Sequence, residues 1–429
     1  MIESSALNLK TRSNLWRAVR IGFFLAVRDI KKANKWATAL IIAVMILTFL
    51  NLIVVSGILV GLIEGAINQN KERYSSDIII STLPNKRYID DSANIVKTIK
   101  SVPEVLNFTT RYTEKGVIQA NYKNRTRLTD LVDSAGGLVA GIDPVIENEV
   151  TGLSKYIVEG EYLGPNDTDQ IMIGADLLYK YSPIDSPGFQ TLKNVEVGSK
   201  VRLLAGSSTR EVTVKGILKS KVGEIDQRVY MIDTEFRSII GRINFNVNEI
   251  AIKLKSGADV NAVVSEIKSL GVDKNAKIQT YEEAQPKFLS DIKVTFSILG
   301  DLIGSIGLAV ACITIFIIIF VNAITRRRYI GILKGIGIDA LAIEVSYIFQ
   351  SVFYALCGMI VGSVVVFAFL QPYITVHPIN FPFSDGILVA TPLGTFTRAL
   401  ILFIATMVAG YIPARIVVKQ NTLDAILGR

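Results

Sequence analysis

The sequence predicts an α-helical integral membrane protein with four transmembrane helices, one plus three, and a large α/β extracytoplasmic domain between helices 1 and 2. Three observations predict it. Half of the 429 residues belong to the hydrophobic set and the mean hydropathy is +0.41, above that of an ordinary soluble enzyme. The apolar residues gather in charge-free runs, and residues 36–63 and 302–325 each exceed the roughly 20 residues that a bilayer requires. Between those runs lies a polar stretch of balanced charge, with 30 Lys and Arg against 31 Asp and Glu in residues 64–293.

Residues 1–36 are basic, with eight Lys and Arg against two acids. Leu15, Val19, Phe23, Ala26 and Ile30 fall near helical spacing, interleaved with Arg17, Arg20, Arg28, Lys31 and Lys32. This predicts a cytoplasmic amphipathic helix on the inner membrane surface, with Trp16, Phe23 and Phe24 supplying its apolar face; the alternative is a disordered basic leader. Residues 37–64 form the first transmembrane helix. The run is too long for a signal-peptide core and no small-residue cleavage pattern follows, so it reads as an uncleaved anchor. Gly57, Gly61 and Gly65 recur at four-residue spacing. They either admit a second helix closely or reflect the general abundance of glycine in membrane helices.

Residues 65–290 form the extracytoplasmic domain. Strand-like runs at 76–81 and 249–254, an amphipathic helix near 259–270 and the spacing of Ile95, Ile99 and Val102 before Pro103 indicate a compact α/β fold, with room for two subdomains. Asn107, Asn124 and Asn166 open Asn-x-Thr sequons, which matter only where the host glycosylates. Residues 291–325 form a stalk and the second transmembrane helix. The stripe Leu289, Ile292, Phe296 and Leu299 runs into the span without a breaker, as a stalk that meets the extended first helix. Asp301 stands at the outer interface, as a hydrated boundary residue or an ion-path residue.

Residues 326–344 form a cytoplasmic loop that opens on Arg326, Arg327 and Arg328. The spacing of Ile330, Leu333 and Ile336 predicts short amphipathic helical turns, which a cytoplasmic partner can push; the alternative is a plain stop-transfer loop. Residues 345–370 form the third helix, in which Gln350, Gly358 and Gly362 read as packing devices. An outer hairpin at 371–391 contains Pro372, Pro378 and Pro382. The fourth helix spans 392–414, with Arg398 at its outer end, and 415–429 is a cytoplasmic tail. Segments 1–36, 326–344 and 415–429 carry 15 basic and five acidic groups, whereas 371–397 has no Lys or Arg and one acid, Asp385. The positive-inside rule therefore places both termini in the cytoplasm. The net charge of +8 lies beside the spans, which argues against nucleic acid as a partner.

The residues exclude several chemistries. The two cysteines, Cys312 and Cys357, fall within predicted spans, which leaves the polar domain without a disulfide or a Cys-based metal site. One histidine, His377, cannot build a His-rich zinc site or supply a triad spanning several elements. No Gly-x4-Gly-Lys-Ser/Thr phosphate loop occurs, so the chain is not expected to hydrolyse ATP itself. No catalytic, cofactor-binding or metal-binding residue stands out.

The run Arg328, Tyr329, Ile330, Gly331, Ile332, Leu333, Lys334, Gly335, Ile336, Gly337 resembles the characteristic loop of the FtsX-like permeases, the class that includes MacB-type and LolC/LolE-type ABC transporters. That family usually reads Glu-Ile-Gly-x-Leu-Lys-Ala-Leu-Gly; here Tyr329 stands in the place of Glu and Gly335 in the place of Ala. The residues Ala409, Gly410, Tyr411, Ile412, Pro413, Ala414, Arg415 and then Asn421, Thr422, Leu423, Asp424, Ala425, Ile426 are similar to its closing span and tail, with Thr422 for Pro. Five motifs come in the order of the MacB-like periplasmic core domain: Ala140 to Pro144, Glu159 and Gly160, Ile173 to Asp176, Val197 to Ser199, and Val212 to Ile217.

The resemblance covers nearly all of the chain after about residue 37. It implies a non-catalytic permease subunit, multi-pass in the inner membrane of a prokaryote. It also implies a dimer with a second copy or a paralogue, and a separate cytoplasmic ABC ATPase that holds the ATP and Mg. Residues 328–337 would be the coupling helix seated on that ATPase. Membrane lipid and an extracytoplasmic adaptor or substrate-binding protein are further implied partners. The implied activity is export or extraction of a lipid, lipoprotein, peptide or drug-like substrate by mechanotransmission. Two alternatives stand beside it: a transmembrane transducer that activates a cell-wall hydrolase, and a membrane-anchored receptor or adhesion domain without an ATPase.

Overall fold

The computed structural model describes residues 2–124, 133–183, 190–381 and 384–419. The chain forms two compact units. One comprises the sequence up to Ile63, Asp291–Ile379 and the segment from Gly386 on; the other comprises Glu64–Ser290 and Asn380–Asp385. Among the described residues, four helices are long and apolar enough to cross a membrane: Lys35–Ser75, Leu289–Thr325, Ala340–Val376 and Pro392–Val418.

The chain opens with helix α1 (Ile2–Lys32) and helix α2 (Lys35–Asn70), which continues as a π-helical turn at Lys71–Ser75. The charge at Glu64 does not end α2, because each added residue still gains a backbone hydrogen bond. Among the residues of α1 from Trp16 on, the buried ones are Ala18, Gly22, Leu25 and Ala26, one helical stripe. Trp16, Phe23 and Phe24, the expected apolar face, stay exposed. The helix therefore presents Ala18, Gly22, Leu25 and Ala26 to protein and keeps much of Trp16 and Phe24 outward.

In chain order the second unit continues with β1 (Ile78–Ser81), α3 (Ser92–Ser101), β2 (Val105–Ala120), β3 (Asp133–Ile142), α4 (Pro144–Thr151), β4 (Ile157–Gly160) and β5 (Gln170–Gly174). It closes with β6 (Lys200–Ala205), β7 (Ser208–Leu218), α5 (Gly223–Asp226), β8 (Arg228–Ile232), α6 (Asp233–Ile239), β9 (Glu249–Leu254), α7 (Val260–Ser269) and β10 (Lys277–Thr280). The strands join one sheet in the order β10-β1-β9-β2-β3-β8-β5-β7-β4, with β6 against β2 and β7. Pairs β3/β8 and β5/β7 are parallel. Both faces are covered, as the alternation of side chains along the strands requires. Val139, Ile173, Val229 and Met231 point into one core, and Ala140, Met172 and Tyr230 into the other. The two-subdomain expectation thus resolves into one sheet with two cores. Two helices of this unit, α4 and α7, start at a capping side chain: Asp143 accepts from the amides of Val145 and Ile146, and Asp259 from those of Asn261 and Ala262.

A buried ionic network holds the centre of this unit. Arg111 on β2 donates to Glu147 on α4 through Nη2 (2.7 Å) and Nε (3.0 Å), and to the Tyr74 carbonyl at 2.9 Å. Arg228 on β8 donates twice to Glu249 on β9, at 3.0 and 2.9 Å, and to the Tyr74 hydroxyl at 2.8 Å. Both guanidinium groups lie 4.8 Å from the centroid of the Tyr74 ring. Burial works against ionised Glu249, but Arg228 and Arg111 outweigh it and hold its pKa at about 2.

The final third contains helix α8 (Lys287–Thr325), helix α9 (Arg327–Gly335), helix α10 (Ala340–Val364) and, after a π-helical stretch at Val365–Leu370, α11 (Gln371–Val376). A hairpin of β11 (Ile379–Phe381) and β12 (Ser384–Gly386) leads to α12 (Pro392–Val418). Helix α10 begins at its Asp339 cap, five residues before the expected span start at 345, so Glu344 lies inside it and is buried. It also outlasts the expected end at 370: the π-helical stretch runs on into α11, and Pro372 lies within the continuing helix. The core of this unit takes Ile41, Met45, Phe49 and Ile53 from α2 and Ala311, Ile315, Ile319 and Ala323 from α8, each a stripe of one residue per turn. Arg398 donates to Ser56 Oγ at 2.6 Å and lies 3.8 Å from Asp301, which gives that acid a cationic neighbour.

Candidate functional site

Helix α9 occupies the arginine-rich loop. It has no side-chain cap at its start, and its end is closed by a glycine turn. Gly337 adopts φ +90°, a conformation that other residues rarely take. The amide of Ile338 donates to the Leu333 carbonyl (3.0 Å) and that of Gly337 to the Lys334 carbonyl (3.1 Å). Ile338 and Leu333 pack into the same core, which completes the hydrophobic contact of this helix-stop motif. The residue at 337 therefore has a conformational requirement that glycine meets.

Three kinds of contact anchor α9. Ile330, Gly331 and Leu333 are buried beneath it. Lys334 Nζ donates to the Val418 carbonyl at 2.9 Å, placing a cation on the C-terminal end of α12, where free carbonyls and the helix dipole favour one. At its start, Arg326 pairs with Asp29 of α1 at 2.8 Å, and Arg28 donates to the Tyr329 hydroxyl.

Among the described residues nothing covers the remaining face. Arg328, Ile332, Gly335 and Ile336 are exposed at positions i, i+4, i+7 and i+8, on one side of the helix. Ile332 is 49% and Ile336 71% exposed, whereas Leu333 is 8% exposed. Of Ile330, Leu333 and Ile336, whose spacing suggested amphipathic turns, the first two are buried and the third is exposed. The helix ends at Gly335, so Ile336 falls on the turn and faces outward. A Cβ added at Gly335 meets nothing within 4 Å, so the alanine usual in the family would fit.

The glycines divide into two groups. A Cβ on Gly358 would lie 2.5 Å from Met45 Cβ, and one on Gly362 2.4 Å from Phe49 Cδ1, so these two let α10 approach α2. Gly57 and Gly61 face extended backbone and not a helix. The Val389 amide donates to the Gly57 carbonyl at 3.1 Å, and a Cβ on Gly61 would lie 1.7 Å from the Ile387 carbonyl oxygen. Gly65 likewise faces Ser384 and Asp385. Four-residue spacing marks a close approach, but extended backbone uses the groove as readily as a helix does.

Several residues of consequence carried no clear motif. Arg28 and Asp29 reach α9 from 301 and 297 positions away. The available signal was that Asp29 is an acid set among Arg28, Lys31 and Lys32 at the basic end of the helix. Gly300, Gly304 and Gly307 admit Ser56, Leu52 and Asn51 of α2. Asp385, the one acid of the hairpin, accepts from Lys221 Nζ (2.6 Å) and Gln69 Nε2 (2.7 Å). The tail motif at Asn421 to Ile426 lies outside the described residues.

The family described as the MacB-like periplasmic core domain matches residues 38–270, and the FtsX-like permease C-terminal family matches residues 302–422. An uncharacterised ABC transporter permease of Methanocaldococcus jannaschii is 24% identical over 287 residues, 63% of this chain and 65% of the relative, so less than two thirds of the relative is spanned. The periplasmic region of MacB from Actinobacillus actinomycetemcomitans superposes with a TM-score of 0.35 at 11% identity, over 50% of this chain and 92% of that one. The extracellular domain of the ABC-type transporter YknZ from Gram-positive bacteria does so with 0.32 at 14%, over 48% and 100%.

Proposed function

The chain belongs to the MacB-like periplasmic core domain family and ends in an FtsX-like permease domain, and on that premise we propose that it is the permease subunit of an ABC transporter driven by a separate cytoplasmic ATPase. The free face of α9 carries this reading: two exposed isoleucines beside an exposed arginine, on a helix whose other side is fixed to the membrane unit. A partner groove would cover Ile332 and Ile336. Closure of the ATP-loaded partner would then push α9, and the anchors at Leu333, Lys334 and Arg326 would pass the push to the spans. ATP and Mg belong to the partner; this chain supplies no phosphate loop.

The basic segments at 1–36, 326–344 and 415–429 support cytoplasmic termini and an inner-membrane location. The charge-free spans offer few groups for a hydrophilic channel. That supports work on the outer side of the membrane, by mechanotransmission, on a lipid, lipoprotein, peptide or drug-like molecule. A second permease copy or paralogue would complete the pump.

Copurification tests the reading. In mild detergent an ATP-binding subunit is expected in stoichiometric amount. Ile332→Asp and Ile336→Asp should each weaken its binding by about tenfold or more, from the loss of one buried aliphatic contact. Neither should change the melting of the chain. Leu333→Asp should instead destabilise the permease itself, because that side chain is part of the core. Full retention of the ATPase by Ile332→Asp and Ile336→Asp would refute the assignment.

A further inference from the structure

Helix α1 does more than rest on its neighbours. Its buried stripe lies against the start of α10: a Cβ on Gly22 would meet the Ala342 carbonyl oxygen and Val345 Cγ1, each at 2.8 Å. Phe23 and Phe349 meet edge to face at 5.4 Å between centroids. One turn beyond the stripe, Asp29 pairs with Arg326 at 2.8 Å, and Arg28 both donates to the Tyr329 hydroxyl and stands 5.6 Å from its ring centroid. α1 therefore touches α9 near its C-terminal end and α10 along the preceding turns. Between them lies the turn at Gly337 to Asp339, whose one left-handed residue is the natural hinge of the loop.

We infer that α1 is a splint of the coupling element, in which Arg28 and Asp29 are positioning residues that make α9 and α10 move as one body. The inference rests on α9 being the ATPase-docking helix. Ile330, Leu333 and Lys334 hold one face of α9, and a load on the opposite face still tends to turn the helix about the short turns at Arg326 and Gly337. Two polar contacts to a helix that is itself packed on α10 remove that freedom. The splint does not compete with the partner. It binds Arg326 and Tyr329, while the free face consists of Arg328, Ile332, Gly335 and Ile336. It also accounts for the tyrosine at 329, whose hydroxyl is used within the chain.

The test uses the full chain, reconstituted with the ATP-binding subunit that copurifies with it. Asp29→Asn combined with Tyr329→Phe removes the charge of the ion pair and the hydroxyl acceptor and leaves the shapes nearly unchanged. The subunit should still bind with an affinity within about twofold of the parent, while the stimulation of its ATP hydrolysis by the permease should fall by about three- to tenfold, the range expected for losing two part-buried polar contacts. The exchange Asp29→Arg with Arg326→Asp should restore most of the coupling lost in Asp29→Arg alone. With Trp36→Phe as background, Trp16 reports α1 directly. Its fluorescence anisotropy should drop in the uncoupled variant and recover in the exchanged one. Full stimulation in Asp29→Asn/Tyr329→Phe, or no recovery on charge exchange, would overturn the splint while leaving the docking assignment intact. Absence of any copurifying ATP-binding subunit, or its undiminished binding to Ile332→Asp and Ile336→Asp, would overturn the docking assignment and the splint together.

Discussion

Replacing Glu147 by Gln should destabilise the outer unit far more than removing Glu147 and Arg111 together. Arg111 is 1% exposed, and Glu147 supplies its two shortest ionic contacts, at 2.7 and 3.0 Å. In Glu147→Gln the guanidinium keeps only Glu249 at 3.4 Å as an ionised neighbour, and Glu249 is already shared with Arg228. A buried charge stripped of its partner costs about 3–5 kcal/mol. In a unit of this size that corresponds to a fall in melting temperature of roughly 6–20 °C. Arg111→Met should cost a similar amount, because it leaves Glu147 with only the hydroxyls of Thr109 and Thr151 as side-chain donors. The double variant Arg111→Met/Glu147→Gln removes both desolvated charges and mainly loses the donor to the Tyr74 carbonyl, about 1–2 kcal/mol. The coupling between the sites is therefore favourable and about 4 kcal/mol or more, a non-additivity well outside ordinary error. Both tryptophans, Trp16 and Trp36, lie outside this unit, so its melting must be followed by tyrosine circular dichroism or by hydrogen exchange of peptides from residues 64–290. A double variant as unstable as the sum of the two single variants would refute the reasoning.

Acid titration should separate two carboxyl groups of opposite sign. Burial opposes ionisation of Glu249, but Arg228 and Arg111 hold it at about 2, below its ordinary value of 4.5, so its contribution is intact above that value and fades as pH falls toward 2. Asp226 is raised to about 6 by burial, with the Asp176 charge adding to the rise and hydrogen bonds from Ser220 and Lys221 opposing it. Its contribution is complete below its ordinary value of 3.8 and is lost as pH rises through about 6, with an amplitude of about 3 kcal/mol at most. Unfolding midpoints measured between pH 4 and 7.5, a range set by that pKa, should lose this slope in Asp226→Asn; an unchanged slope would remove Asp226 as its source. Two glycine substitutions should also differ in sign. Gly61→Val drives side-chain atoms into the Ile387 carbonyl and should lower stability by about 1–3 kcal/mol, whereas Gly335→Ala enters open space and should raise it by about 0.5–1 kcal/mol. Thermal shift assays on the purified chain read both, and a stabilised Gly61→Val would show that the groove yields.

The spans were legible because lipid leaves so few options: a backbone that must satisfy itself within the bilayer forms a helix, and a charge-free run betrays it. The helix ends were less legible, because a helix stops where its backbone finds a cap. Asp339 starts α10 before Glu344, and Pro372 is tolerated inside the continuing helix. Strands β1 and β9 could be read from their β-branched runs, and their pairing, Ile78 with Ile252 and Ile80 with Ile250, is what those runs form when they meet. The network around Tyr74 was not legible. Arg111, Glu147, Arg228 and Glu249 come from four elements and look individually like surface charges, of which the domain has many. Only the topology brings them to one place and withdraws water from them.

The loop at 326–344 shows where local pattern stops carrying information. Its amphipathic spacing identified a short helix, but which residues were buried depended on where that helix ended, and that was fixed by the left-handed residue at Gly337. The departure at 329 teaches a related lesson. A glutamate there could accept a hydrogen bond from Arg28 as the Tyr329 hydroxyl does, with an added charge. The substitution therefore preserves an acceptor while discarding a carboxylate, and the acceptor's partner lies 301 residues away on a helix that no loop motif includes. A family pattern read along the chain records which side chains recur. Whether a departure breaks a contact or only restates it in other atoms depends on the neighbour that the fold supplies, and at Tyr329 that neighbour is Arg28.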